Sequence, residues 1–351
     1  MKNIIINGDM SIAQRGTSVT GITGSGYYTV DRFQIGSAGS SGGTFTMSQD
    51  TDVPTGQGFA TSLKMDCTTA DASLGSSDAL RISQYIEGQN LQYLKKGTAN
   101  AESTTLSFWV KSNKTGTYIS ELRDMDNARA ISKSYTIDVA DTWEKKTLTF
   151  AGDTSGAFDN DNSTSLRLAN WLYAGTDYTS GTLQTSWGTL TATDRAVGQV
   201  NLADSTANDF YITGVQLEAG TTASDFEFLP VDVNLARCLR YCFVLGNTPT
   251  NGAINKYANV GTYYTATEFF PSVYYPVVMR ATPSFTVVGA TPAQAFTIYS
   301  ANTGRTSTAV GRDAISATNI GYVITTASAT QGDGGLGAWN VGYYGIIEAE
   351  L

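Results

Sequence analysis

The groups in this sequence that could act as acids or bases are carboxylates, because the chain contains no histidine. That absence excludes Ser-His-Asp and Cys-His nucleophiles and zinc sites held by histidine. Acidic residues gather at Glu218, Asp225, Glu227 and Asp232. A glycosidase needs two carboxylates that face each other across its substrate, and spacing along the sequence does not establish such a pair. We therefore expect a protein that is not an enzyme and has no catalytic residue.

Several aromatic residues have the chemistry to hold a sugar. A sugar ring stacks its flat C–H face on Trp or Tyr, while neighbouring polar groups bind its hydroxyls. In the segment 166–173 leucines alternate with larger polar and aromatic side chains, Trp109 alternates with an apolar face, and Trp187 lies in a Ser/Gly loop. The predicted glycan-binding residues are Trp109, Arg167, Trp171, Tyr173 and Trp187. The alternative is that these side chains fill the core or a subunit interface, where Tyr, Trp and Arg are also enriched.

One oxygen-rich segment and the cysteines are predicted to be structural. Asp159, Asp161 and their asparagine neighbours could bind Ca²⁺. They lack the spacing of an EF-hand, and turn chemistry explains them better. The three cysteines, Cys67, Cys238 and Cys242, do not form the even, spread set of a disulfide framework, which favours small buried hydrophobes in a reducing compartment. We predict no metal site and no cofactor.

Strict alternation of apolar and polar residues predicts many β-strands. The segments 62–67, 106–111 and 135–139 alternate in this way. Clusters of Gly, Ser, Asn and Asp separate such segments, as at 36–43 and 152–155. Short strands with turns between them predict a sandwich or jelly roll of antiparallel sheets.

One segment follows helical spacing instead. Leu235, Leu239 and Cys242 recur at that spacing, Asp232 can cap the beginning, and Gly246 closes the far end. A helix over 231–243 is therefore predicted, whose apolar face docks on the adjoining sheets or, alternatively, forms a short trimer seam.

Apolar runs predict further strands after this helix, at 274–279, 285–288, 296–299, 320–324 and 339–347. The Ala/Thr/Gly-rich stretches between these runs are predicted to be loops. The predicted architecture is all-β, with an N-terminal jelly-roll sandwich over 1–230, a short linking helix over 231–245 and a smaller C-terminal β-sandwich over 246–351.

The charge pattern excludes two classes of partner. The formal net charge is −9, and lysine and arginine are scattered along the sequence. Nucleic-acid binding needs a basic surface, and an anionic membrane repels such a chain. The sequence has no apolar run of about 20 residues, so we expect no membrane insertion. The short isoleucine run after Asn3 predicts a first strand rather than a signal peptide, and hence synthesis in a cytosol.

Blocks of sequence along the chain resemble a family of bacteriophage tail-fibre and head-fibre proteins. The N-terminal and central blocks are NIIINGDMSIAQRG at 3–16, YTVDRF at 28–33, LSFWVKS at 106–112, YITGVQLE at 211–218 and the segment 226–241. Thinner similarity follows in MRATP at 279–283 and EAEL at 348–351. The order and collective spacing of the blocks carry the resemblance.

The resemblance implies a jelly roll similar to carbohydrate-binding modules, joined by a helix to a C-terminal β domain and assembled as a homo-oligomer, which we expect to be a trimer. Related modules often hold a structural calcium between their first and last strands. Asp9 lies at the first position here, whereas Thr213 or Gly214 stands where those modules carry an acidic residue. Calcium is therefore not expected in this chain.

These expectations together describe a bacteriophage virion structural protein, made in the host cytoplasm and acting as a fibre or spike component. Its expected partners are other copies of itself, other virion proteins and the polysaccharide of the host surface. Repeated weak sugar contacts on symmetric subunits would raise the effective affinity. The alternatives are a free-standing carbohydrate-binding module and, behind it, a capsule polysaccharide depolymerase.

Overall fold

A computed structural model describes residues 2–39, 42–248, 252–254 and 259–351 of the chain. The protein divides into two compact units. The first contains Thr17–Asn234, the N-terminal residues up to Ala13, and Leu351; the second contains Leu235–Glu350 and Gln14–Gly16. Among the described residues, no helix has the length and apolar composition that a membrane crossing requires.

The first unit is a sandwich of two antiparallel sheets. Its strands are β1 (Ser18–Ile22), β2 (Gly26–Tyr27), β3 (Gln34–Ala38), β4 (Thr44–Asp50), β5 (Ser62–Thr69), β6 (Ala79–Glu87), β7 (Thr104–Ser112), β8 (Gly116–Asp124), β9 (Arg129–Ile137), β10 (Glu144–Phe150), β11 (Thr164–Ala174), β12 (Gly188–Thr189) and β13 (Asp209–Ala219), with one helical turn, α1 (Thr176–Thr179).

The strand order of these sheets is that of a jelly roll. One sheet runs β1-β4-β5-β13-β7-β10, and the other runs β12-β9-β8-β11-β6-β3-β2. The chain passes from one sheet to the other between β5 and β6, between β6 and β7, and between β7 and β8. These crossings bring strands that are distant in the sequence side by side. The predicted all-β class with an N-terminal jelly roll is confirmed.

The inward faces of the two sheets share one hydrophobic core. Leu63 and Met65 of β5 and Phe108 of β7 meet Ile82 of β6 and Leu168 of β11 there, each at most 1% exposed. Burying one side chain of this size contributes about 1.5–3 kcal/mol. Because alternate residues of a strand point to opposite faces, the same packing fixes which side chains stand on the outer faces.

The second unit combines an antiparallel sheet with a closed barrel. The sheet runs β15-β14-β23-β18 and the barrel runs β16-β17-β21-β20-β19-β22. The strands are β14 (Cys242–Thr248), β15 (Gly252–Ile254), β16 (Asn259–Tyr263), β17 (Glu268–Tyr274), β18 (Ser284–Val288), β19 (Phe296–Ser300), β20 (Thr303–Ile315), β21 (Asn319–Thr326), β22 (Gly334–Trp339) and β23 (Tyr344–Glu348). Closure leaves the barrel without free edges, which two open sheets would have.

Two predictions about this half of the chain are wrong. The helix α2 (Val231–Leu239) ends four residues before Phe243, because Cys242 begins β14 and pairs with Glu348. Gly246, the expected helix end, lies within β14 with φ +98°. The Ala/Thr/Gly-rich segment 303–315 is β20 rather than a loop, because its pairing with β19 and β21 completes the barrel and outweighs its weak strand propensity.

Candidate functional site

The outer face of the six-stranded sheet carries Trp109. Its strand β7 lies between β13 and β10, and the register places Trp109 opposite Thr213 on one side and Lys145 on the other. Its neighbours Phe108 and Val110 turn into the core. Strand alternation therefore holds the indole on the outer face, where it is half-buried.

A cavity of about 300 Å³ lies beside Trp109. Three phenylalanines line it with the indole, and we call these four residues, Trp109, Phe59, Phe226 and Phe228, the aromatic groove. Polar groups of Gln57, Lys145 and Asp225 stand around it. Aromatic walls with a few polar groups at the rim match the general composition of small-ligand sites, and the volume falls at the lower end of their usual size.

The three phenylalanines pack against one another. Ring centroids lie 5.1 Å apart between Phe59 and Phe226, 5.1 Å apart between Phe59 and Phe228, and 4.9 Å apart between Phe226 and Phe228. Phe228 nevertheless remains 50% exposed. The cluster therefore offers aromatic surface to solvent at one edge of the groove.

Hydrogen bonds hold the segment that carries Phe226 and Phe228. The Gln216 side chain accepts from the backbone N–H of Glu227 at 2.8 Å. The Glu227 carboxylate in turn accepts from the backbone N–H groups of Lys2 and Asn3 at 2.7 and 2.9 Å. The two rings are thus positioned by a bonded framework, although no regular strand contains them.

Gly214 forms part of the groove wall, and no larger residue fits at this position. Its φ of +63° lies in the left-handed region, and a Cβ at this position would stand 2.6 Å from Phe59 Cζ. The pairing of β13 with β7 also shifts register between Thr213 and Gln216. This bulge includes Gly214, beside which the ring of Phe59 lies.

A row of charged and aromatic side chains continues along the same outer face. The ammonium of Lys111 lies 4.3 Å from the ring centroid of Tyr211 and 5.7 Å from that of Trp143. Lys111 also pairs with Asp52, which accepts from Trp143 Nε1 at 2.9 Å. Burial alone would raise the pKa of Asp52, but the hydrogen bonds from Lys111 and Trp143 lower it below its ordinary value. Asp52 is therefore a charged acceptor at neutral pH.

Three of the predicted glycan-binding residues lie inside the protein, so their prediction as a surface platform is wrong. Trp171, Tyr173 and Arg167 are 0%, 2% and 3% exposed on β11, the central strand of the seven-stranded sheet. A register shift between Trp171 and Tyr173 breaks the alternation that put them on one face. Tyr173 belongs to the core between the sheets, whereas Trp171 packs with Ile119 on the other face.

Trp187 does not join the aromatic groove. It precedes β12, at the edge of the seven-stranded sheet, and its Nε1 donates to the carbonyl of Ala151 at 2.7 Å. Its half-buried ring packs against the core near the ammonium of Lys96, 5.6 Å from the ring centroid. Of the five predicted residues, Trp109 alone lines the groove. Phe59 was not among the predicted residues, whereas Phe226 and Phe228 lie in the sequence block 226–241.

The acidic residues near the end of the jelly roll have structural bonds. Glu218 accepts from the backbone N–H and the hydroxyl of Ser224, both at 2.8 Å. Burial alone would raise the pKa of Glu218, but these bonds and one from Gln216 lower it. No group of three or more Cys, Asp or Glu side chains among the described residues could hold a metal ion.

Asp9, the expected calcium position, lies in a hydrogen-bonded network. Its carboxylate accepts from the amide of Asn234 at 3.1 Å, and the same amide lies 3.1 Å from the Ser11 hydroxyl. The backbone carbonyl of Asp9 accepts from the hydroxyls of Thr61 at 3.1 Å and Thr213 at 3.4 Å. The carboxylate and the backbone carbonyl of Asp9 therefore already accept hydrogen bonds from one amide and two hydroxyls.

The chain has no matching protein-family model, and no curated protein matches it. Among solved structures, the enzymatically active domain of Bacteriophage CBA120 tailspike protein 4 is similar at 15% identity with a TM-score of 0.33, over 62% of this chain and 21% of that one. TmCBM61, solved with β-1,4-galactotriose, is similar at 9% identity with a TM-score of 0.31, over 62% of this chain and 99% of that one. A putative sugar binding protein from Bacteroides thetaiotaomicron is similar at 10% identity with a TM-score of 0.31, over 62% of this chain and 100% of that one. The chain thus spans about a fifth of the tailspike chain.

Proposed function

We propose that this protein is a non-catalytic structural component of a bacteriophage virion, a fibre or spike subunit that binds host-surface glycans in the aromatic groove. The observation that carries the glycan proposal is the groove itself. It places Trp109 and the exposed ring of Phe228 around a cavity of about 300 Å³, with polar side chains at the rim. Aromatic faces bind the C–H patches of a sugar, and the polar groups bind its hydroxyls.

The stacking surface is prepared before any ligand binds. Phe226 and Phe228 are held by the bonds of Glu227, and Gly214 leaves the space that Phe59 needs. A ligand therefore orders few side chains on binding, which keeps the entropic cost low. Such a site suits a weak contact that is repeated on several subunits of an oligomer, where effective concentration supplies the affinity.

The virion assignment is supported by the order of the sequence blocks that resemble bacteriophage fibre proteins. Under this proposal the subunits form a trimer and bind other virion proteins, and the protein acts from the surface of the particle. The recognition step needs no bond-making chemistry. Among the described residues, Asp225 is the one carboxylate that lines the groove, whereas glycoside hydrolysis uses a pair, and this supports a binding role over hydrolysis.

The test is binding of the wild type and two variants to a host-glycan array, followed by titration with the best oligosaccharide. Trp109→Ala removes the central stacking surface and should weaken binding at least about tenfold, the equivalent of roughly 1.4 kcal/mol. Tyr93→Ala is the matched control, because Tyr93 is an exposed aromatic residue of the same unit that does not line the groove.

Equal weakening by both variants, or none by Trp109→Ala, would refute the assignment of the groove. Thermal unfolding of each variant shows whether a loss of binding comes from misfolding. Light scattering of the purified chain tests the oligomer separately: three copies are expected, and a stable monomer at micromolar concentration would contradict the fibre proposal.

A further inference from the structure

Four arginines gather on the outer face of the seven-stranded sheet, away from the aromatic groove. We call Arg81, Arg123, Arg167 and Arg195 the arginine cluster. Arg81 lies on β6, Arg123 on β8 and Arg167 on the intervening strand β11, while Arg195 comes from the segment that follows β12. The register sets Arg167 directly opposite Arg123. Long cationic side chains on three neighbouring strands therefore converge on one patch.

One buried carboxylate, that of Glu121, lies among these four positive charges. Glu121, 0% exposed, accepts from Arg167 Nη2 at 2.6 Å and from Arg195 Nε and Nη2 at 2.9 and 3.0 Å. Four guanidinium groups and one carboxylate leave three positive charges in excess. The whole chain carries a net charge of −9, so this patch has the opposite sign to the protein as a whole. Like charges held this close destabilise the folded state unless an anion offsets them.

Several guanidinium nitrogens of the cluster lack acceptors. Within the described residues, the Nε atoms of Arg81, Arg123 and Arg167 are buried and have no hydrogen-bond partner. Arg167 is only 3% exposed. A buried charged donor without an acceptor costs more free energy than a neutral one, and native proteins rarely retain it without a reason. A negatively charged acceptor would both bond these nitrogens and offset the excess positive charge.

Trp171 forms a rigid apolar support for the cluster. The guanidinium carbons of Arg81 and Arg195 lie 4.9 and 5.0 Å from its ring centroid. This packing pre-positions the planar groups, and planar guanidinium forks bind two oxygens of one carboxylate, sulfate or phosphate. Arg81 and Arg123 are each half-buried whereas Arg167 is buried, so a ligand of the cluster would contact it through Arg81 and Arg123.

The electrostatic environment agrees with an anion site. Burial, together with the charges of Arg167 and Arg195, lowers the pKa of Arg81 to about 10. The same causes lower the pKa of Arg123. Both groups remain charged at neutral pH, and a bound anion would relieve the repulsion that lowers these values.

We propose that the arginine cluster binds an oxyanion of an acidic polysaccharide, a carboxylate or sulfate group carried on a sugar. The site is distinct from the aromatic groove. The anion site rests on the contacts of the cluster, whereas the choice of a polysaccharide rests on the proposed function. The arginine cluster would select ligands by charge, which stacking in the aromatic groove cannot do. A free inorganic oxyanion has the same chemistry, so the experiment must separate the two sources.

The test is calorimetric titration of the whole chain at constant ionic strength with three probes: sodium sulfate, tri-galacturonate and methyl-esterified tri-galacturonate. The variants are Arg123→Gln and Arg81→Gln, which leave the bonds of Glu121 to its own partners intact. Arg312→Gln is the matched control, an exposed arginine on β20 of the second unit. Thermal unfolding without ligand shows whether each variant is folded.

The wild type should bind tri-galacturonate, and each cluster variant should weaken this binding at least about tenfold while Arg312→Gln leaves it unchanged. The methyl ester should not bind at this site. Tighter binding of tri-galacturonate than of sulfate identifies the polysaccharide as the source. Equal or tighter binding of sulfate makes this a free-ion site and overturns the polysaccharide claim.

Absence of binding for all three probes, or equal binding by all variants, would overturn the site itself. Trp109→Ala should retain tri-galacturonate binding, because its indole lies on the other sheet. Failure of the aromatic groove and failure of the arginine cluster are therefore separate results.

Discussion

Glu121→Gln is the substitution for which the structure gives the most definite consequence. It keeps the shape of the side chain but removes the one negative charge that Arg167 and Arg195 bind. Burial alone would raise the pKa of Glu121, but the charges of Arg167 and Arg195 lower it to about 2, against an ordinary value of 4.5. That difference corresponds to about 3 kcal/mol of folding free energy. Removal of one partner from a buried ion pair costs roughly 3–5 kcal/mol, which agrees with the value obtained from the pKa of Glu121.

The assay is urea unfolding of the wild type and Glu121→Gln, monitored by tryptophan fluorescence. Trp171 reports on the cluster because its ring centroid lies within 5.0 Å of the guanidinium carbons of Arg81 and Arg195. At pH 7 the variant should lose about 3 kcal/mol in the transition of the first unit. The matched control is Glu102→Gln, which removes an exposed carboxylate paired with Lys95 and should cost under about 1 kcal/mol.

The pH dependence of the unfolding free energy provides an independent check on the direction of the Glu121 pKa shift. The pKa of Glu121 is lowered by folding, so its stabilisation is complete above the unfolded value of 4.5 and is lost as the pH falls towards about 2. The difference in unfolding free energy between wild type and Glu121→Gln should therefore shrink across this range. A difference at pH 7 no larger than that of Glu102→Gln, or one that grows on acidification, would refute the reasoning.

Three further substitutions or reactions test the description of the first unit. Trp171→Ala should cost about 3–5 kcal/mol in urea unfolding, because it empties a fully buried site, and a loss below about 1 kcal/mol would contradict its burial. Gly214→Ala should weaken glycan binding and lower stability, because the new Cβ would meet Phe59 at 2.6 Å; an unchanged titration would contradict the close approach of that ring to the sheet. Cys67, whose pKa burial raises to about 11, should resist alkylation at pH 8 in the native protein and react after denaturation, and fast native labelling would contradict its place in the core.

Strand alternation predicts the core of the first unit because it is a local signal. The alternating segments 62–67 and 106–111 supply Leu63, Met65 and Phe108, which fill the space between the sheets. Trp109 stands on the outer face for the same reason. The pattern fails on β11, where the register shift after Trp171 turns Tyr173 to the core side. The residue types of this segment do not indicate that a bulge is present.

The groove and the barrel depend on contacts that are distant in the sequence. Phe59 meets Phe226 across more than 160 residues, and nothing local to either residue indicates the pairing. The strand β20 is rich in small residues, and its partners β19 and β21 supply the pairing that its own sequence does not favour. Cys242 likewise leaves the helical pattern because β23 pairs with it.

The arginine cluster was visible in the sequence only as four scattered residues. Arg81, Arg123, Arg167 and Arg195 are separated by at least 28 positions, so no basic run announces them. The sheet order places the strands of Arg81, Arg167 and Arg123 side by side, and the segment after β12 adds Arg195 next to Glu121. A count of charge along the chain cannot reveal a patch that antiparallel pairing assembles.

The most direct test of the central claim is the structure of the protein bound to an oligosaccharide of the host surface. Our account predicts a sugar ring stacked on the indole of Trp109, with Phe228 at its edge and its hydroxyls bonded to the polar rim of the groove. A sugar bound elsewhere on the first unit, with the groove unoccupied, would contradict it.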